Sequence, residues 1–440
     1  MAKNLDPITR LSQACNPTLP LEPGDDRYVD CESVRGSGFL EECVRCFQRA
    51  RPAEPIVRGF AGHIGVGKST EMLRLKERLE DVGFKVIYLD VSDRETGLDC
   101  NDLDLPDLLT FIAGEAAKQL SKIGRQLGIT VQSTLFDSLW KQLCEYLSGK
   151  KLVLKFKEIK APYLPLAIEI KNRPSARAAL RNAIEAHSTS LLDALRDLLT
   201  IATVELRQKG FLGLVVLCDG TEKVPRRHLA DHGMTTHERL FVNRAPQLAG
   251  LGVHVVYSLP ISLIYDPAFT QTVQTFGDPC PPLPMVRLRS DDHGHVTPDT
   301  PGMKTMWRMV EARCRYAGVD VTEAFDRPET AQYLCEMSGG HPRHLVMFLR
   351  SAANALDALP ITREAADKAV RDYANGLLRA LPEDYWDRLR KFAGPTNDLP
   401  KDEPHLQMLL WLYIYEYMND NVWYEVNPVL RTLAKFNQAD

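Results

Sequence analysis

No stretch of the 440 residues approaches the ~18 consecutive apolar residues that a membrane-crossing helix needs, so no membrane partner is expected. The first residues, MAKNLDPITRLSQ, have no apolar centre. A secretory signal is therefore not expected, and the sequence predicts a cytoplasmic protein. Cysteine is too sparse for a disulfide scaffold: ten in a chain this long fit reduced thiols. Cys43 and Cys46 form one C-x-x-C within FLEECVRCFQRA, but no second pair at zinc spacing follows. They read as thiols on a helix rather than as metal ligands. A positive excess is also missing. Lys and Arg total 54 against 58 Asp and Glu, a net charge of −4, so bulk electrostatics do not argue for nucleic acid. No nuclease, protease or NADase motif is evident, so any such activity is expected from another protein.

What the chain does contain is globular. Hydrophobic residues make up 44% and charged residues 25%. At ~150 residues per domain the length allows roughly two to four domains. The most specific stretch is RGFAGHIGVGKSTEML, Arg58 to Leu73, which holds G-x-x-x-x-G-K-S from Gly62 to Ser69. Upstream, PIVRGFA reads as a buried strand. Downstream, Met72, Leu73, Leu75 and Leu79 share one helical stripe that ends at Gly83. Strand, glycine turn and helix N-terminus are the parts of a phosphate-binding loop. Gly62, Gly65 and Gly67 lack Cβ atoms, so the backbone N–H groups of Gly62, His63, Ile64, Gly65, Val66, Gly67, Lys68, Ser69 and Thr70 can wrap phosphates. Lys68 is the cation for the β- and γ-phosphates of ATP, and Ser69 a ligand for Mg²⁺.

Further along, FKVIYLDVSD (Phe84 to Asp93) reads as a strand with an acidic end. A mainly helical region follows from about Leu105 to Gln208. Within it, residues 149–173 alternate as a small hairpin, and from Glu145 to Glu185 nine Lys or Arg outnumber four Asp or Glu. That insert is either a solvated hairpin or a contact for an acidic partner, nucleic acid included. GFLGLVVLCDGTEKV is an apolar run ending in Asp219, the pattern of a central parallel strand. Beside a phosphate loop, Asp219 completes the Mg²⁺ shell with Ser69. GVHVVYSLP is another apolar strand, ending at Ser258, where such folds place a group that senses the γ-phosphate. PMVRLRS, Pro284 to Ser290, is a candidate fifth strand.

These pieces, with MSGGHPRHLVMFLRSA (Met337 to Ala352), resemble the AAA+ and STAND ATPases, in the branch of origin-recognition-type ATPases, NACHT-like switches and bacterial defence ATPases. The resemblance implies an α/β fold: a P-loop NTPase parallel sheet flanked by helices, with a helical insert, a helical lid and a C-terminal winged helix. It implies that Pro342 packs near the adenine and that Arg343 touches the phosphates. DDRYVDCESVRG (Asp25 to Gly36) resembles the segment that brackets the base, which puts Tyr28 and Val29 there. The expected organisation is an arm over 1–24, an ATPase core over 25–300 with an insert at about 105–205, a lid over 301–381, and a winged-helix-like domain over 382–440. That last segment carries six Lys or Arg and ten Asp or Glu, so it reads as a protein-contact module rather than a DNA reader.

Two departures bear on turnover. Many AAA+ motors place a catalytic Glu directly after the strand-end Asp, whereas here that position is Gly220. The nearest acid, Glu222, either orients the attacking water or lies on the surface of the turn. Between Arg244 and Arg287 there is neither arginine nor lysine to act as an arginine finger. Arg226, Arg227, Arg287 and Arg289 are the remaining candidates for a trans contact. The expectation is a slow ATPase switch acting through a homo-oligomer or a separate effector, with bacterial antiviral defence as the setting the resemblance implies. A DNA-loading ATPase and a nucleotide-binding pseudo-ATPase scaffold are the alternatives.

Overall fold

The structure is a computed structural model. It describes residues 5–36, 38–51, 54–93, 95, 97–138, 141, 178, 181, 188–229, 233–289 and 294–438. The basic hairpin expected over 149–173 lies outside the described residues. In chain order the elements used below are α1 (Pro7–Ala14), α2 (Phe39–Arg49), β1 (Val57–Gly62), α3 (Lys68–Asp81), β2 (Phe84–Asp90), α4 (Leu105–Leu127), α5 (Ser188–Gln208), β3 (Gly213–Asp219) and β4 (His254–Pro260). Then come α6 (Pro301–Ala317), α7 (Pro328–Met337), α8 (Pro342–Asn354), α9 (Arg363–Ala380), α10 (Glu403–Leu410), β5 (Ile414–Met418) and β6 (Val422–Val426). The chain divides into two compact units, one of Leu40–Ala61 and Glu71–Pro281, the other of Met1–Phe39, Gly62–Thr70 and Pro282–Asp440.

The first, the sheet unit, is α/β. Four strands of its sheet run in the order β2-β3-β4-β1, and the two-residue strand Pro282–Leu283 follows beside β1. β2 pairs parallel with β3 from Phe84↔Gly213 to Asp90↔Asp219, and β3 pairs parallel with β4 from Val215↔His254 to Cys218↔Tyr257. β3 and β4 are buried along their whole length, as strands covered on both faces must be. Helices flank the sheet: α4 packs on β2 and on α5, and α5 on β3. α4 starts where a capping box satisfies its first N–H groups, with Asp104 and Asp107 each accepting from the other's turn and Pro106 just inside. It stops at Gly128, whose φ of +63° ends the helix. Leu105, Leu108, Leu109, Ile112, Ala116 and Leu120 recur at helical spacing and lie in one core with Val216 and Leu195. β1 holds a buried charge. Arg58 donates to Asp278 at 2.5 Å and to Glu42 at 2.8 Å, which offsets the cost of removing a guanidinium from water. Cys43 and Cys46 lie on α2 as thiols, Cys43 buried and Cys46 half-buried near Arg58.

In the second, the loop unit, α1 packs on α6 and α8, and α8 on α9. Leu11, Met306, Leu334, Leu345 and Val370 share its core. β5 and β6 form an antiparallel hairpin from Ile414↔Val426 to Met418↔Val422, turning at Asn419–Asn421. α10, this hairpin and a short helical turn (Pro428–Thr432) follow one another in the chain. The expected fifth strand at Pro284 to Ser290 does not form over its described residues. Successive N–H groups go to different segments: Met285 to Glu416 O, Val286 to Gly340 O and Arg287 to Val34 O. A segment whose donors are divided in this way cannot run a ladder with one neighbour. Among the described residues, no helix is long and apolar enough to cross a membrane.

Candidate functional site

β1 ends on Gly62 and α3 begins on Lys68, so the G-x-x-x-x-G-K-S segment is the turn from strand to helix. Gly62, Gly65 and Gly67 have φ of +146°, +86° and +112°, values that L side chains rarely adopt. A Cβ on Gly65 would sit 2.8 Å from both Arg343 Cδ and His341 Cε1. Only glycine fits at this position, because the Arg343 and His341 side chains already lie against its backbone. Lys68 is buried, and its Nζ donates to Gly62 O at 2.8 Å and His63 O at 3.0 Å. Ser69 is half-buried at the start of α3, and the Thr70 hydroxyl accepts from Leu21 N at 3.1 Å.

The loop's outer edge is held by side chains from distant parts of the same unit. Arg35, 3% exposed, donates to Val66 O at 2.7 Å. His341, the N-cap of α8, accepts from His344 N at Nδ1, so its Nε2 carries the proton and donates to Ile64 O at 2.9 Å. Pro342 occupies the first turn of α8, and Arg343 packs over Gly65. His63 reaches into the C-terminal module: Glu416 N donates to its Nε2 at 3.0 Å, and its Nδ1 donates to Leu409 O at 3.0 Å. That tautomer is neutral, and burial pushes the His63 pKa down to about 3. Tyr28 and Val29 are half-buried, and Val29 packs against the core that includes Met306 and Leu345.

The sheet unit supplies a second group of residues. Asp219, at the end of β3, accepts from Gly220 N at Oδ1 and from the Tyr88 hydroxyl at Oδ2, each at 2.8 Å. Burial, then the neighbouring carboxylate, drives the Tyr88 pKa up, so it stays a neutral donor. A buried strand-end carboxylate of this kind is the oxygen donor that an Mg²⁺ shell takes, directly or through water. Asp90 stands beside Asp219 in register and accepts from Ser92 N and Oγ. Glu222 is not a surface residue of its turn. Gly220 at φ +80° leads into a short 3₁₀ turn that points Glu222 inward, where it is 4% exposed and accepts from Ser258 Oγ at 2.6 Å. Thr221 N donates to the same Ser258 Oγ at 3.1 Å.

Of the residues singled out from sequence, the loop, His341's neighbours Pro342 and Arg343, and Thr70 stand together in the loop unit, while Asp219, Glu222 and Ser258 stand together in the sheet unit. Arg35, His341, Tyr88 and Thr221 were missed. Tyr88 carried a weak signal, as a phenol two residues before the acidic end of an apolar strand. The arginines considered for trans contacts all have partners within the chain. Arg226 lies 4.0 Å from Asp266, Arg227 donates to Asn101 O, Arg287 to Val34 O, and Arg289 to Glu425. Tyr88→Phe leaves Asp219 Oδ2 without its phenol donor. It is expected to raise the Mg²⁺ concentration needed for nucleotide binding by about tenfold, as loss of such outer partners typically does. Mg²⁺ titration of a fluorescent ATP analogue reads this, and an unshifted midpoint would remove Asp219 from the metal's surroundings.

No family model matches the chain, and no curated protein does. Among solved structures, a Walker-type ATPase of Pyrococcus abyssi is similar at 14% identity and a TM-score of 0.49, over 97% of this chain and 100% of that one. Drosophila ORC bound to DNA is similar at 10% identity and a TM-score of 0.42, over 99% and 93%. Cdc6p from Pyrobaculum aerophilum is similar at 11% identity and a TM-score of 0.42, over 97% of each chain.

Proposed function

We propose that the chain is an ATP-binding, slowly hydrolysing regulatory ATPase of the AAA+ or STAND type, in which nucleotide at the phosphate loop controls assembly or a separate effector. The observation that carries this reading is the grip of α8 on the loop, through His341 on Ile64 O and Arg343 over Gly65. A lid attached to the phosphate site changes its packing when phosphates enter or leave. Lys68 leaves the loop carbonyls for the β- and γ-phosphates, and Arg343 reports the γ-phosphate to the lid. Ser69 and Asp219 are the residues that would hold Mg²⁺, which would neutralise phosphate charge when bound. Ser258, held by Glu222 and Thr221, is the sensor of the strand end. The winged-helix-like C-terminal module is the moving output.

Slow turnover follows from what surrounds these groups. Glu222 is occupied by Ser258, and the sequence has no cation from Ala245 to Val286. Phosphate release is expected well below the ~1–100 s⁻¹ of typical kinases. Particle mass is expected to differ between ATP and ADP. Fast unstimulated turnover with one mass in both nucleotides would sink the switch. The Glu222–Ser258 bond also favours a second reading, a scaffold that binds ATP without cleaving it. Tight ATP binding with no phosphate release above background would select that reading.

A further inference from the structure

The contacts of His63 go further than the lid. This residue occupies the second position of the phosphate loop, yet both ring nitrogens are spent on the C-terminal module. One goes to Leu409 O at the end of α10, the other to Glu416 N in the middle of β5. The ring is fully buried, it meets the Tyr415 ring edge-on with centroids 6.1 Å apart, and Tyr415 in turn stacks on His341, which holds the next loop carbonyl. Tyr415 Oη also lies 2.7 Å from His344 Nδ1, and Tyr373 of α9 lies 2.9 Å from His344 Nε2. Tyr373, His344 and Tyr415 thus form a hydrogen-bonded chain from α9 through α8 to the hairpin, and the rings of His63 and His341 pack on Tyr415.

We propose that His63 is a positioning residue that holds the phosphate loop in its nucleotide-ready shape through the C-terminal hairpin, so that nucleotide occupancy and seating of β5 strengthen each other. The inference rests on the nucleotide reading of the loop. A glycine-rich turn is mobile unless something fixes it, and ordering it is a cost that binding must otherwise meet. His63 removes that cost while β5 is in place. Coupling of this kind is reciprocal: whatever the seated hairpin adds to nucleotide affinity, bound nucleotide adds to the hairpin's stability. A partner that draws the hairpin away would release nucleotide, and the signal would pass through Glu416 N rather than through a phosphate contact.

Histidine's two nitrogens can be imitated separately. In His63→Asn the amide N–H replaces Nδ1–H toward Leu409 O and the contact to Glu416 N is lost. In His63→Gln the amide oxygen replaces Nε2 toward Glu416 N and the contact to Leu409 O is lost. Hydrogen exchange of the β5 peptide in the full chain, with and without saturating ATP analogue, is measured beside equilibrium affinity. Wild type and His63→Gln are expected to show slower β5 exchange when nucleotide binds. His63→Asn is expected to lose that response and about tenfold in affinity, within the usual range of coupling between sites. Tight nucleotide binding with β5 exchange unchanged by nucleotide in wild type would overturn the coupling and leave the nucleotide reading standing. So would an Asn variant that responds like wild type. A wild-type chain that binds no nucleotide would overturn both.

Discussion

Lys68→Ala is expected to abolish tight ATP binding, with affinity falling about 100-fold or more. The side chain is buried and already desolvated, and its acceptors include two loop carbonyls 2.8 and 3.0 Å away. Exchanging those for the β- and γ-phosphates replaces two neutral acceptors with charged ones. Each charged contact contributes on the order of 1.5–3 kcal/mol, and every ~1.4 kcal/mol is tenfold in affinity. The other loop cations cannot take its place. Arg35 is committed to Val66 O, and Arg343 lies over Gly65 on the outer edge. The variant also leaves Gly62 O and His63 O without their ammonium donor, so its thermal unfolding should be compared with wild type before affinity is read. Equilibrium binding of a fluorescent ATP analogue to a folded Lys68→Ala chain with unchanged affinity would show that the loop is not the site.

How much of this was readable in the sequence follows from how far apart the partners lie. The strand, glycine turn and helix around Lys68 were, because they are neighbours in the chain and each has a local reason to be there. The parallel strands ending at Asp219 and Ser258 were, because burial on both faces leaves an unbroken apolar run. The role of His63 was not. Its partners Leu409 and Glu416 are 346 and 353 residues away, and within the motif it fills a position that tolerates any side chain. Arg35 sat in a segment read only for contact with the base, and no local pattern points its guanidinium at Val66 O, 31 residues on. Glu222 was left between surface and site because the backbone of its turn decides its direction, and that depends on Gly220 taking positive φ. PMVRLRS looked like a strand because it is apolar and alternating. Its backbone donors are divided among three segments that the sequence does not show to be adjacent.

The histidines that tie the loop to the lid and hairpin also make an acid prediction. Burial pushes the pKa of His63 and of His344 down to about 3, and that of His341 well below its ordinary value. In the sheet unit, burial lowers His254 to about 4. The charges facing the loop-unit rings add to the effect: Lys68 lowers His63, and Arg343 lowers both His341 and His344. A histidine kept neutral in the fold and free to protonate when unfolded contributes stability in full above its unfolded pKa of ~6.5, and that stability is lost as pH falls toward the folded value. At about pH 5 each such ring has given up about 2 kcal/mol, so together they remove a substantial part of the ~5–15 kcal/mol typical of a folded domain. The carboxylates that hydrogen bonding holds low, Asp25 and Asp402 among them, lose their contribution only below about pH 4, beneath this window. Asp107, raised by burial, acts in the opposite direction. Denaturant midpoints are therefore expected to drop clearly between about pH 7.5 and pH 5. A midpoint that stays level from about pH 7.5 to pH 5 would mean these rings are not kept neutral by the fold, and the hydrogen bonds assigned to their tautomers would fall with that assumption.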